Sequence, residues 1–165
     1  MQPFTIVENF EFKLLVNKLN SHYILPCRQT LKEKFIENYD IRRNGLISEI
    51  SQINSKIFLT TDIWTSEISK DCYLEVTMHY INNNWELKNL LLDLIPINGS
   101  HTAGLIISKL LQILEEFNIN NNILVLTTDN GSNMIACGSQ LATELDEEFN
   151  NMAFTHYRCA AYCIL

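Results

Sequence analysis

No apolar run in this sequence is long enough to cross a membrane. A span needs roughly 18 such residues, and the longest greasy stretch, Leu105 to Leu114, is interrupted by Ser108, Lys109 and Gln112. A basic N-terminal region followed by an apolar block is also missing. An intracellular home is therefore expected, and Asn98-Gly99-Ser100 and Asn130-Gly131-Ser132 read as chance sequons. There is no Cys-x-x-Cys pair: the cysteines at 27, 72, 137, 159 and 163 are odd in number and scattered. They read as reduced, buried thiols, and no zinc site is expected among them. Basic charge is scarce, with 12 Lys and Arg against 19 Asp and Glu for a net charge of −7. That is the wrong sign for a domain gripping nucleic acid through phosphate neutralisation, so any contact with DNA needs metal ions or another segment.

The 165 residues are 47% hydrophobic and 19% charged, which fits a folded chain with one core and excludes a disordered tail. Residues 1–55 read as a helical segment. Thr5 and Glu8 have capping-box spacing ahead of Phe12, Leu15, Val16 and Leu19, predicting a helix to about Asn20. After Pro26, the Leu31, Phe35, Ile36 and Tyr39 spacing marks a second helix, and Leu46, Ile50 and Ile53 a third beyond a break at Gly45. Residues 56–165 change character. Ile57 to Asp62 reads as a strand buried on both faces, Cys72 to Ile81 as a half-buried alternating strand, and Trp85 to Ile95 as a strand whose apolar face switches near Leu90 and Leu91, as at a bulge. Asn82-Asn83-Asn84 is the turn between them. A helix from Thr102 to Phe117, a second fully buried strand from Ile123 to Asp129, a helix over Met134 to Leu145 and a short strand near Ala153 to Tyr157 follow. The predicted fold is an α/β domain with a mixed sheet in the order β-β-β-α-β-α-β after the helical segment.

An echo carries the functional reading. Leu59-Thr60-Thr61-Asp62 and Leu126-Thr127-Thr128-Asp129 end the two strands that read as fully buried, where an acid is costly unless it acts. A meander of three strands followed by a right-handed crossover makes the fourth strand parallel to the first. Asp62 and Asp129 then share the carboxyl edge of the sheet, where open α/β sheets hold ligands. Chain order alone leaves open whether the two strands are neighbours. Converging carboxylates repel unless a proton or cation intervenes, and such oxygen donors suit magnesium or manganese. The blander reading makes each Asp a cap or loop acid.

Leu-Thr-Thr-Asp-Ile-Trp-Thr-Ser at 59–66, Thr-Met-His-Tyr-Ile at 77–81, His101-Thr102, Thr-Asp-Asn-Gly-Ser-Asn-Met at 128–134 and Arg-Cys-Ala-Ala at 158–161 together resemble the transposase core of the hAT superfamily, including BED-type zinc-finger proteins derived from it. Pro3-Phe4 and Tyr23-Ile24-Leu25-Pro26 extend the likeness over nearly the whole chain. The resemblance implies a ribonuclease H-like fold and metal-dependent DNA strand cleavage and transfer by two aspartates and a glutamate. Asp62 matches the first aspartate and Asp129 the second. It also implies a nuclear location, DNA as partner, and association with itself or related chains. The sequence departs from the family's pattern at three points. The family's third acid comes from a helix far downstream, whereas this sequence stops at Leu165. No BED finger precedes the core, and the family's Cys-x-x-His is Cys159-Ala160-Ala161-Tyr162, where a phenol cannot replace imidazole nitrogen.

These residues are thus expected to be a fragment or degenerate derivative of such a transposase, truncated at its C-terminus and inactive alone. The alternative is a domesticated, non-catalytic interaction module. Trp64 reads either as core filler or as a surface for stacking on a base, and His101 as a partly buried helix-start residue or a phosphate contact. Asn130, Ser132 and Asn133 read as turn and cap residues or as DNA contacts at a helix start. The acidic run Glu144 to Glu148 reads as a solvated helix end. Lys32, Lys34, Arg42 and Arg43 are too sparse for a DNA groove.

Overall fold

The computed structural model describes residues 3–67, 70–99, 102–149 and 154–159. The chain divides into two compact units, Met1–Glu49 and Ile50–Leu165.

In the first unit a 3-10 turn, Phe4–Glu8, precedes helix α1, Phe10–Leu19. The cap is Asn9, whose side-chain oxygen accepts from the Phe12 N–H at 2.9 Å, and not the expected Thr5, because the Thr5 stretch is spent in the 3-10 turn. Helix α2 runs unbroken from Arg28 to Ile50, so the two helices expected around Gly45 are one. Glycine inside a helix costs only about 1 kcal/mol relative to alanine, and the residues on either side keep the helical ladder. Phe4 packs against Phe35 at 5.7 Å between ring centroids, and no residue of α1 is buried.

The second unit is one five-stranded sheet flanked by two helices. The strands are β1 (Ile57–Thr65), β2 (Cys72–Ile81), β3 (Leu87–Ile97), β4 (Ile123–Thr128) and β5 (Thr155–Arg158), with helix α3 (Ala103–Glu116) before β4 and α4 (Ser132–Phe149) after it. Their spatial order is β3-β2-β1-β4-β5, with the first three antiparallel and the last two parallel to β1. Both crossovers run the same way across the sheet, so right-handed connections put α3 and α4 on the same face. Thr102 caps α3 by accepting from the Leu105 N–H at 3.3 Å. The helix turns Ile106, Ile107, Leu110, Ile113 and Leu114 inward, and Met134, Cys137, Leu141 and Leu145 of α4 join them.

One-sided cover corrects the expectation that β1 is buried on both faces. Its burial alternates, with Ile57, Leu59 and Thr61 inward and Phe58, Thr60, Asp62 and Trp64 outward. β4 is likewise only partly buried at Leu124, Val125 and Thr127. The expected bulge is present. Val76 pairs with Asp93 and Thr77 with Leu91, so Leu92 is the extra residue, and its side chain is buried. β3 begins at Leu87 and not at Trp85, because the Asn82 side chain accepts from the Asn84 and Glu86 N–H groups and extends the turn past Trp85.

Candidate active site

β1 and β4 are neighbours, which answers the point that chain order leaves open. The echo lies in register: Leu59 pairs with Leu126, Thr60 with Thr127 and Thr61 with Thr128. Asp62 and Asp129 follow immediately at the carboxyl edge. A cavity of about 190 Å³ opens there, lined by Thr60, Thr61, Asp62, Glu75, Thr127, Thr128, Asp129 and Cys159.

Each aspartate is held by the backbone beside it. One Asp62 oxygen accepts from the Ile63 N–H at 2.8 Å, and one Asp129 oxygen from the Gly131 N–H at 3.1 Å. Gly131 leaves little room beside the site: a Cβ there would lie 2.8 Å from the Asn133 side-chain oxygen and 3.2 Å from the Asp129 carboxylate, so a larger residue would make these side chains shift. Asp129 sits just before the N-terminus of α4, where the helix dipole favours negative charge.

Below Asp129, Thr128 is buried, and its hydroxyl donates to the Asp129 carbonyl at 2.9 Å. That hydroxyl also lies 2.9 Å from His156 Nε2. Its only hydrogen is directed at the carbonyl, so Nε2–H of His156 is the donor to Thr128. Burial, and then the Arg158 charge, hold the His156 pKa below its ordinary value. The Thr128 carbonyl accepts from the Cys159 N–H at 2.7 Å, which ties the end of β5 to the cavity.

Of the residues singled out in the sequence, Asp62 and Asp129 meet at the cavity. Asn130, Ser132 and Asn133 follow Asp129 into the start of α4. Trp64 shares the outward face with Asp62, stacks on Tyr73 at 5.1 Å and is 39% exposed. It is not core filler, because α3 and α4 both pack on the opposite face of the sheet. His101 and Tyr162 lie outside the described residues. In the acidic run Asp146 and Glu147 are exposed and Glu144 is half-buried.

Glu75 is the residue that sequence reasoning missed. It pairs across the ladder with Asp62, lies on the same face and lines the cavity. The available signal was alternation: Glu75 is the acid at the outward position of β2 that a meander brings opposite the end of β1. Like charges directly opposite destabilise a sheet, so three acids around one small cavity mark a place that favours a cation.

The donors fit a hard divalent ion. Apart from Cys159 the lining offers only carboxylate, hydroxyl and backbone groups, and the buried Thr61 hydroxyl oxygen has no hydrogen-bond partner. Among the described residues no three His, Cys, Asp or Glu side chains are gathered closely enough to hold an ion by themselves. Two carboxylates suffice for magnesium, which keeps several of its waters. Cys137, by contrast, is fully buried in α4, and burial pushes its pKa up to about 12, so it is an inert part of the core.

A family model described as the ZBED1 RNase-like domain matches residues 60–155, a span that takes in both aspartates. Over 98% of its length the chain is 31% identical to "Putative transcriptional regulator tpeD" of Talaromyces stipitatus and 27% identical to "Putative AC transposase" of Zea mays, covering 20% of each. It is 27% identical to the transposable element Hobo transposase of Drosophila melanogaster, over 90% of this chain and 27% of that protein. The chain thus spans about a fifth to a quarter of the length of these relatives.

Proposed function

This chain belongs to the ZBED1 RNase-like domain family, a ribonuclease H-like core related to hAT transposases, and from that premise we propose that its Asp62–Asp129 cleft is a metal-dependent, DNA-directed centre of the hAT transposase type. The observation that carries this reading is the in-register echo of β1 and β4, which delivers one carboxylate from each strand to one cavity. Asp62 and Asp129 would hold magnesium or manganese. Such an ion, when bound, supplies charge stabilisation and activates an oxygen nucleophile for in-line displacement at phosphorus.

The protein's own groups prepare that place. The Ile63 and Gly131 N–H groups each hold one carboxylate oxygen of the two aspartates that line the cavity. Glu75 adds negative charge that draws a cation in. The start of α4, with Asn130, Ser132 and Asn133, offers backbone and side-chain donors to a phosphate, and Trp64 offers an aromatic plane beside Asp62 for a base. Strand cleavage and transfer are expected only where a third acid completes the centre. DNA as partner, a nuclear location, self-association and kinship with BED zinc-finger proteins go with this reading.

A second reading, a non-catalytic DNA- or protein-interaction module, is favoured by the relative named as a transcriptional regulator. Calorimetric titration with manganese separates the two. The first reading expects binding in the millimolar range or tighter, weakened about tenfold or more in Asp62→Asn and Asp129→Asn and less in Glu75→Gln. No binding at millimolar manganese would refute it and leave the module.

A further inference from the structure

The hairpin between β2 and β3 lies at the other end of the sheet, eight residues along β2 and its turn from Glu75, the partner of Asp62, or about 26 Å at about 3.3 Å per residue. Its tip is costly to build. Trp85 adopts φ +61, a left-handed conformation that bulky residues rarely take, and its side chain is 88% exposed. Neither choice helps the fold, since glycine or asparagine would relieve the strain and a polar side chain the exposure.

The tip is nonetheless rigid. Asn82 accepts from two backbone N–H groups at 3.0 Å and donates from its amide to Glu86 at 2.9 Å, and Glu86 in turn pairs with Lys88 at 2.8 Å. Beside the indole lies a groove of about 410 Å³ lined by Asn54, Ser55, Ile81, Asn82, Asn83 and Trp85. Within it the buried Ser55 hydroxyl has no hydrogen-bond partner, and the side-chain amides of Asn54 and Asn83 make no hydrogen bond among the described residues.

We infer that this groove is a binding site for an unpaired nucleobase, stacked on Trp85 and read along its edge by Asn54 and Asn83. The lining combines one aromatic plane with neutral groups that both donate and accept, which is what the face and edge of a base require. A protein partner fits less well, because Ile81 is the only aliphatic side chain in the lining. The site is separate from the aspartate cleft and needs no cation.

The test reads Trp85 fluorescence. Trp64→Phe leaves Trp85 as the only tryptophan, and a single-stranded oligodeoxynucleotide of about 12 residues is titrated in EDTA, which silences the aspartate cleft. A mononucleotide series in parallel shows whether the base alone suffices. Saturable quenching is expected, with affinity lowered several-fold in Asn54→Ala and Asn83→Ala. With Trp64 kept and binding read from the anisotropy of a dye-labelled oligonucleotide, Trp85→Gly relieves the strained φ and so keeps the fold, and it is expected to weaken binding about tenfold relative to wild type, as loss of one stacked base does. Absence of quenching, or equal oligonucleotide affinity in Trp85→Gly and wild type, would overturn the inference. Trp85 quenching by a peptide library but by no oligonucleotide would overturn it in favour of a protein partner.

Discussion

On the face of the sheet that α3 and α4 cover, Ile57, Leu59, Leu74, Val76, Met78 and Leu126 are essentially inaccessible. On the other face the same strands expose Phe58, Trp64, Ile81, Leu91 and Leu94, interleaved with Thr60, Asp62, Glu75, Thr77 and His79. Successive residues of a strand point to opposite faces, so every core residue on β1 has a chemically different neighbour one position away. The covered face carries the stability. The outward face tolerates paired acids and a row of polar bridges, such as His79 set between Thr60 at 2.9 Å and Asn89 at 2.7 Å, because what it costs is met across the sheet.

The largest expected break in that comparison is a matched pair of truncations. Leu110→Ala empties a fully buried site in α3 and should lower unfolding free energy by about 2–5 kcal/mol. Phe58→Ala removes a larger side chain from the outward face and should cost less, about 1–2 kcal/mol, since Phe58 is already 39% exposed. Denaturant titration of both variants measures the difference. Equal losses would mean that the outward face is covered in solution and that the asymmetry is not real.

Next in size is Gly138, which sits where α4 crosses β5. A Cβ at this position would fall within the van der Waals envelope of the His156 ring, at its Cγ, Nδ1 and Cδ2 atoms. Gly138→Ala therefore forces the ring or the helix to move, at about 1–3 kcal/mol, although alanine favours the helix intrinsically. A neutral or stabilising outcome in thermal unfolding would show that His156 is not pinned. If it is pinned, displacing it also loosens Thr128 and so the loop that carries Asp129.

The sequence made some of this legible and hid the rest for physical reasons. Element types and strand direction were readable from periodicity, and the Leu-Thr-Thr-Asp echo pointed at the site because repeated residues lie in register along parallel strands. One-sided burial was not readable: Ile57-Phe58-Leu59 is apolar throughout, and only the placement of α3 and α4 decides which of the three is covered. Gly45 looked like a break because local propensity is a weak prior that a long helix overrides. Gly138 was silent, and Glu75 was signalled only by alternation taken together with the meander, for a common reason. Their importance lies in a partner far along the chain, Asp62 in one case and His156 in the other, and no local pattern names it.

The smallest expected effect sharpens the same contrast through pH. His156 lies on the covered face, with Nε2–H donated to Thr128 and Nδ1 against Gly138 of α4. A second proton must therefore go onto Nδ1, beneath the helix and near Arg158, and both desolvation and that neighbouring charge lower its folded pKa. Above the unfolded value of about 6.5 the ring is neutral in both states, and its contribution to stability is fully present. As pH falls through 6.5 toward the lower folded value, the unfolded chain takes up the proton first and stability declines, levelling off once both states are protonated. Denaturation midpoints for wild type and His156→Gln, compared between pH 7.5 and 5.5, isolate this contribution, because carboxylates elsewhere affect both proteins alike. The wild type should lose more stability over that interval than the variant. An equal loss would mean that the ring is solvated when folded, and Thr128 would then hold the Asp129 carbonyl without help from β5.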